Sequence, residues 1–480
     1  MALDHPGWSR MALGSIPLRP RMGDSRTQIP RPPTMMLRLS VSALLLPLAL
    51  LHGLDGQDAK ALTDQEVDPS LRAAVDEIIP QVEALRGLEF LRPVGLRVAS
   101  VEDLQAYMKV QLEDSLPPGE LEAIDTVVKL MGLLPADTDL LALQNELIES
   151  QVGGFYDPAT DTFSLMESLV GSGLAKVILA HELTHALDDQ HYDLDAGMTA
   201  REGNSDVLWA YQAVIEGSAT AVGNRWAMEQ LQSPDGGLTM ADLREAEEIG
   251  ADVLERTPVF LTKTLLGAYL RGSAFLARTD SILKATMTMP PVEDLNRGFE
   301  QPPLSSEQVL HPSAYWLEDK VDAPQEVTLD LAALPAGSTL LMQDTFGELQ
   351  LNFFVEPMKA RKPPKGQMGI LGASYSCKAV KGWGGDSWAL IGQGEGRVLV
   401  LRTLWDSEVD ALEFDAALAE KELAEHITGS LKRLSVVRGA GLEFVYHHRR
   451  IGVEVRVVLA AGVGAQVSMA IADAIAPSAH

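Results

Sequence analysis

The stretch that most constrains this chain is Val177 to Tyr192, VILAHELTHALDDQHY. Neither Gly nor Pro occurs from Leu174 to Tyr192, and Leu174 to Ala180 is an apolar run on which a buried helix can begin. Within it His181, Glu182 and His185 spell H-E-x-x-H. Residues four apart on a helix lie on one face, so the two imidazoles can be offered to a single Zn²⁺. Glu182 then stands beside the metal, placed to take a proton from a water whose pKa the metal has lowered. The plain alternative is a helix whose histidines face a core or the solvent. A second signature further along makes that alternative less attractive.

That signature is Leu208 to Val222, LWAYQAVIEGSATAV, a helical stretch carrying one carboxylate among apolar neighbours. Glu216 follows His185 by 31 positions, enough for a loop and a returning helix. Two His and one Glu, with the fourth position left to water, is the open geometry of a catalytic zinc site. A carboxylate flanked by Ala213, Val214, Ile215, Ala219 and Val222 also needs a partner if it is buried. His191 is an alternative third ligand, because it stands six positions after His185, the spacing of H-E-x-x-H-x-x-G-x-x-H. The glycine of that longer motif would fall on Asp188, which favours Glu216 and leaves His191 a supporting or structural part.

HELTHA is similar to the zinc helix of thermolysin-like gluzincins. The wider pattern resembles a little-characterised group of secreted bacterial zinc metallopeptidases. The resemblance is carried by GGFYDP (153–158), AHELTHALDDQHYDL (180–194), VIEGSAT (214–220), PPLSSEQVLHPSAYW (302–316), GWGGDSWALI (382–391) and TLWDSEVDALEF (403–414), and it runs from about Leu71 to the C-terminus. It implies one Zn²⁺ per chain held by His181, His185 and Glu216, with Glu182 as general base. It also implies a zincin-like fold.

Composition narrows the partners. The 480 residues suffice for two or three domains with ample cores, and 46% hydrophobic against 22% charged residues is ordinary for a globular protein. With 67 acidic against 39 basic side chains the net charge is −28, so phosphate backbones repel the chain and nucleic acid is not an expected partner. Cys377 is the only cysteine, which excludes an intrachain disulfide and a cysteine-rich zinc site.

Read in order, residues 1–34 are an Arg- and Pro-rich disordered extension or a mis-assigned start. Residues 35–59 read as a signal peptide, with Arg38 ahead of an apolar run from Leu39 to Leu51 that is too short to span a bilayer. The expected location is therefore periplasmic or extracellular, with no stable membrane span after cleavage. The alternative is anchorage by an uncleaved segment 37–54. An N-terminal α-rich region follows over 60–136, then a catalytic unit over 137–322 and a C-terminal α+β domain over 323–480. The fold class expected overall is α+β: a zincin-like, mainly helical metallopeptidase domain with a small edge-strand hairpin, followed by the α+β domain.

The hairpin is predicted just before the zinc helix, with a strand over Gln151 to Tyr156 and a second over Thr162 to Met166. Gly153, Gly154, Phe155 and Tyr156 are its candidate substrate edge, because the resemblance to zincins implies that an edge strand here pairs with a peptide backbone; the plain alternative is a structural hairpin. Asp189 and Thr220, each four residues past a proposed ligand, are candidates to orient those ligands. His311 and Tyr315, in a Pro-rich loop, are candidates to hold an oxyanion. The helix over Asp68 to Gly87 is expected to be interrupted at Pro80, GWGGDSW to form a turn, and His447 and His448 to sit in a hairpin turn.

The function expected is hydrolysis of peptide or protein substrates by a zinc metallopeptidase. The alternatives are an envelope binding or scaffolding protein with a structural zinc, and a zinc hydrolase of a non-peptide amide such as a cell-wall bond.

Overall fold

The structure is a computed structural model, and it describes residues 69–115, 119–157, 160–233, 238–242, 251–355, 372–419 and 444–475. The extension, the expected signal peptide and segment 37–54 lie outside the described residues. Among the described residues no helix is long and apolar enough to cross a membrane.

The architecture is mixed α+β with two sheets. The first half runs α1 (Pro69–Arg86), β1 (Gly95–Ala99), α2 (Val101–Ser115), α3 (Glu120–Leu130), α4 (Leu140–Gln151), β2 (Gly154–Asp157) and β3 (Thr162–Met166). Helices α5 (Gly173–Tyr192), α6 (Leu194–Thr199), α7 (Ser205–Gln232), α8 (Ala251–Arg256), α9 (Val259–Leu276), α10 (Ile282–Ala285), α11 (Val292–Glu300), α12 (Ser306–Leu310) and α13 (Ser313–Trp316) follow. The last part contains β4 (Ser338–Asp344), α14 (Gly347–Val355), β5 (Trp383–Gln393), β6 (Gly396–Trp405), α15 (Glu408–Ala419), β7 (Phe444–Ile451), β8 (Glu454–Ala461) and α16 (Ala465–Ile475).

The first sheet has the order β1-β3-β2, with β1 parallel and β2 antiparallel to β3. Strand β2 forms one edge and stands beside α5. One core fastens this sheet to the histidine helix. It combines Val75, Ile78 and Val82 of α1, Phe163 and Leu165 of β3, Leu179, Leu183 and Leu187 of α5, and Trp226 of α7. The second sheet is antiparallel throughout, in the order β4-β5-β6-β8-β7. The main core passes from Val127 of α3 through Trp209 and Val214 of α7 and Phe275 of α9 to Phe353 of α14 and Trp388, Leu401 and Leu459 of this sheet. Residues after 323 thus share their apolar core with the helices before them.

Several local expectations change. Helix α1 runs unbroken through Pro80; its apolar face packs on α5, and that burial outweighs the missing amide hydrogen bond. Strand β2 begins at Gly154, because α4 persists to Gln151. GWGGDSW is not a turn: β5 starts at Trp383, and its glycines lie at a register shift between Trp383 and Gly385. His447 and His448 lie within β7, and His448 Nδ1 is 3.0 Å from Asp415 Oδ1.

Candidate metal centre

Helix α5 is started by Ser172, whose side chain accepts the Ala175 amide, and ended by Asp193 in the left-handed region at φ 50°. Helix α7 is started by Asn204, which accepts from both Asp206 N and Val207 N. The two helices pack together and bring His181, His185 and Glu216 into one cluster, with donor atoms all within 4.8 Å of one another. His181 Nε2 and His185 Nε2 are 3.0 Å apart. Glu216 Oε2 lies 3.3 Å from the first and 3.4 Å from the second. Glu216 and His185 are fully buried, whereas the His181 side chain keeps 18% of its surface exposed. The cluster is therefore closed on the protein side and open on one.

Helix packing explains how Glu216 arrives there. A Cβ added at Gly272 of α9 would stand 1.8 Å from the Ala213 carbonyl oxygen, and one at Gly217 would meet the Gly272 carbonyl carbon at 2.4 Å. The backbones of α7 and α9 touch at these glycines, which no side chain would permit. Tyr269, three residues before Gly272, is thereby carried to the cluster. Its ring stacks on His181 with centroids 5.8 Å apart, and its phenol comes within reach of Glu216. Burial, then the charges of Glu216 and Glu182, holds that phenol firmly protonated. Gly223 of α7 lies against His181, where an added Cβ would make ordinary contact with the His181 Cβ at 3.7 Å.

Electrostatics separate the two glutamates. Burial pushes Glu182 up to about 7; His181 opposes the rise, Glu216 adds to it, and the Tyr156 backbone amide opposes it. Burial acts on Glu216 as well, but His185 and His181 together hold it down at about 2. One carboxylate is thus fixed as an anion between two imidazoles, and its neighbour is poised to exchange a proton near neutrality.

The donor set fits a zinc ion. Two imidazole nitrogens face each other at 3.0 Å with a carboxylate oxygen beyond them. Both Glu216 oxygens are buried, with the Tyr269 phenol within reach but no hydrogen bond formed to either among the described residues, a costly state that a cation beside them relieves. Nitrogen and carboxylate donors with one open side suit Zn²⁺.

Other predicted residues fall elsewhere. The His191 Nε2 lies 2.9 Å from the Glu89 carbonyl oxygen on an exposed turn, outside the cluster. Asp189 accepts the Tyr156 hydroxyl at 2.9 Å and the Leu194 amide at 3.0 Å, so it holds β2 and α6 rather than a histidine. Thr220 Oγ1 is buried without a hydrogen-bond partner among the described residues. His311 lies 3.0 Å from Glu348, and the Tyr315 hydroxyl bonds the Gln301 carbonyl. Among the described residues neither side chain has a hydrogen bond, ion pair or ring contact with the three clustered groups.

The edge strand has two aspects. Space beside Gly153 and Gly154 is taken by Ile178 and Phe163, so these glycines serve internal packing rather than an incoming chain. The register still leaves an unpaired edge. Met166 N donates to Gly153 O, so by the alternation of an antiparallel ladder Phe155 pairs with β3 while the polar groups of Gly154 and Tyr156 face the other side. The Tyr156 amide, on that side, acts on Glu182.

Sequence reasoning missed Tyr269. Its only trace is a polar aromatic three residues before a mid-helix glycine in an otherwise apolar segment. It also missed a buried ion pair between Arg86 and Asp188.

In comparisons with known proteins, the family model of a domain of unknown function (DUF8575) matches residues 338–469. This stretch opens with β4, closes within α16 and so frames the five-stranded sheet, leaving the histidine cluster outside. Neither the curated proteins nor the solved structures contain a match to the chain.

Proposed function

We propose that this protein is a zinc-dependent peptidase with a zincin-like catalytic unit, hydrolysing peptide bonds in peptide or protein substrates. The observation that carries the reading is the convergence of His181, His185 and Glu216 within 4.8 Å, with the buried Glu182 carboxylate next in sequence to the first of them. A bound Zn²⁺ would polarise the scissile carbonyl and acidify a water. His181, His185 and Glu216 would hold the ion, with the Tyr269 phenol steadying the Glu216 carboxylate. Glu182 takes a proton from the attacking water as its oxygen bonds to the carbonyl carbon, then delivers that proton to the amine nitrogen as the C–N bond breaks. The outward amide of Gly154 and the outward carbonyls of Gly154 and Tyr156 offer a substrate strand its hydrogen bonds, while the Tyr156 amide is engaged by Glu182. The parallel β1-β3 pair with an antiparallel edge strand next to the histidine helix supports the zincin-like assignment.

The test combines metal analysis with a quenched-fluorescence peptide library. Wild type is expected to hold close to one zinc per chain and to cleave. Glu182→Gln should keep the zinc and lose about 10²- to 10⁴-fold in rate. Glu216→Ala should lose the zinc, and His191→Ala should keep it. Hydrolysis unchanged in Glu182→Gln, or zinc retained in Glu216→Ala, would overturn the reading.

A further inference from the structure

Three neighbouring strands of the five-stranded sheet carry arginines in register. Arg402 of β6 stands directly opposite Arg456 of β8, and Arg456 directly opposite Arg449 of β7. Strand alternation puts all three on the face whose apolar part, with Val400 and Val458, packs under Ile471 and Ile475 of α16. Directly opposed side chains on one face lie about 5 Å apart, and like charges in those positions destabilise a sheet. In a chain of net charge −28, such a row needs a cause.

One acid answers it. Glu454, two residues before Arg456 on the same face, accepts Arg402 Nη2 at 2.9 Å on one oxygen and Arg456 Nε on the other. Arg402 Nη1 donates to Thr328 O at 3.0 Å. Arg449 is exposed and has neither a hydrogen bond nor an ion pair among the described residues. Three guanidinium groups against one carboxylate leave two positive charges uncompensated. Hydrogen bonding is incomplete at the same place. The Arg456 side chain is only 8% exposed, yet its Nη2 is buried without a hydrogen-bond partner among the described residues, as is Arg402 Nε. Donors left unpaired at that depth cost stability. A row that merely guarded the edge strand β7 against pairing with another chain would need charge at Arg449, not two further arginines buried behind it.

We propose that Arg402, Arg456 and Arg449 form a binding site for a phosphate dianion, either free or borne by a phosphomonoester. Guanidinium forks match phosphate oxygens. Phosphate carries about −1.5 to −2 at pH 7, which balances the two excess charges, and its tetrahedral oxygens can serve more than one fork at once. A carboxylate brings half that charge and two oxygens. Glu454 fixes the inner pair by taking one donor from each, and Arg449 leads from the surface at the sheet edge to the buried Arg456. The site shares no residue with the histidine cluster and stands whether or not that cluster is catalytic.

The experiment is calorimetric titration of the full protein with inorganic phosphate at fixed ionic strength, beside Arg449→Gln, Arg449→Lys and Arg450→Gln. Arg450, the next residue of β7, lies on the opposite face of the sheet. Arg449→Gln should weaken phosphate binding about tenfold or more, the effect of losing a charge-assisted hydrogen bond. Arg449→Lys should recover part of the loss, since the charge returns without the fork, and Arg450→Gln should bind as wild type does. Acetate should bind wild type more weakly than phosphate. Phosphate held at the histidine cluster, or drawn by charge alone, would bind Arg449→Gln and Arg450→Gln equally. Sedimentation with phosphatidylcholine vesicles, with and without phosphatidic acid, separates the two sources. Capture that Arg449→Gln abolishes assigns the site to a lipid phosphomonoester, and phosphate binding without capture assigns it to a soluble one. No phosphate binding in wild type, equal binding in Arg449→Gln and Arg450→Gln, or acetate binding as tightly as phosphate would overturn the site.

Discussion

Arg86 Nε meets Asp188 Oδ1 at 2.6 Å with both side chains wholly buried, and this pair sets the geometry of the histidine cluster from behind. Asp188 lies three residues past His185 on α5, and its other oxygen accepts the hydroxyl of Ser218, two residues past Glu216 on α7, at 2.7 Å. Arg86 adds a 2.7 Å bond to Asn296 of α11 and lies 5.8 and 5.6 Å from the ring centres of Tyr192 and Phe299. One guanidinium therefore ties α1, α5 and α11 together, and through Asp188 the two helices that carry the cluster. Arg86→Met is predicted to cost about 3–5 kcal/mol, because it strands the Asp188 charge in the core. The double variant Arg86→Met with Asp188→Leu should recover much of that loss. Urea unfolding of the three proteins checks it; a double variant no better than the single would show that the charge was not the cause.

The contact between α7 and α9 gives a second prediction. Gly272→Ala would place a methyl group 1.8 Å from the Ala213 carbonyl oxygen, so the helices must separate. The expected loss is about 3 kcal/mol or more, at the upper end of overpacking effects, accompanied by weaker zinc binding as Glu216 and Tyr269 move away from His181. Urea midpoints and zinc content measured on the same preparation would expose a substitution that the packing tolerates.

Tyr269→Phe isolates the hydroxyl. Ring stacking on His181 is preserved, so stability should change by less than about 1 kcal/mol. The Glu216 carboxylate loses the phenol within its reach, and zinc affinity should fall about 10- to 100-fold, as is usual when a group supporting a metal ligand is removed. Competition with a chromophoric chelator measures this directly. An affinity equal to wild type would reduce Tyr269 to a packing residue.

The sequence made the helices that carry the cluster and its neighbours legible because each is a long apolar run without proline, and their boundaries agree with the structure within a few residues for α5, α7 and α9. The meeting of Glu216, rather than His191, with His181 and His185 was also readable, since an acid among apolar neighbours signals burial with a partner. What remained hidden depends on distant packing. Arg86 and Asp188 are 102 positions apart, and nothing local in either helix marks the pair. Tyr269 reaches the cluster only because Gly217 and Gly272 let two backbones touch. The glycines at 153 and 154 were read as room for a substrate, but Ile178 and Phe163 fill it. His311 and Tyr315 stand out in the sequence as candidates to hold an oxyanion, and the structure pairs them with Glu348 and the Gln301 carbonyl. GWGGDSW looked like a turn because glycines dominate it, while the flanking tryptophans, Trp383 and Trp388, are buried in a strand.

Stability should also fall across neutral pH, through Asp206. This carboxylate is buried in the first turn of α7 and accepts the Ser306 amide at 3.1 Å on each oxygen. Gly347 is pressed so close that a Cβ there would overlap its oxygen at 1.7 Å, which leaves no room for water. Burial pushes Asp206 up to about 8; hydrogen bonds from Ser306 oppose the rise, and the Asp386 and Glu348 charges add to it. In the unfolded chain the same group titrates near 3.9. Between those values the folded protein holds a proton that the unfolded chain has released, so stability declines as pH rises from about 4 to about 8 and levels off above. The steepest contribution from one such group is about 1.4 kcal/mol per pH unit. Asp206→Asn keeps an acceptor for the Ser306 amide and carries no charge at any pH, so it should remove this part of the slope. Urea midpoints of both proteins between pH 5 and pH 9 decide the matter. Parallel profiles would mean that Asp206 stays ionised in the fold, and that the Ser306 amide and the α7 N-terminus hold its charge against Asp386 and Glu348.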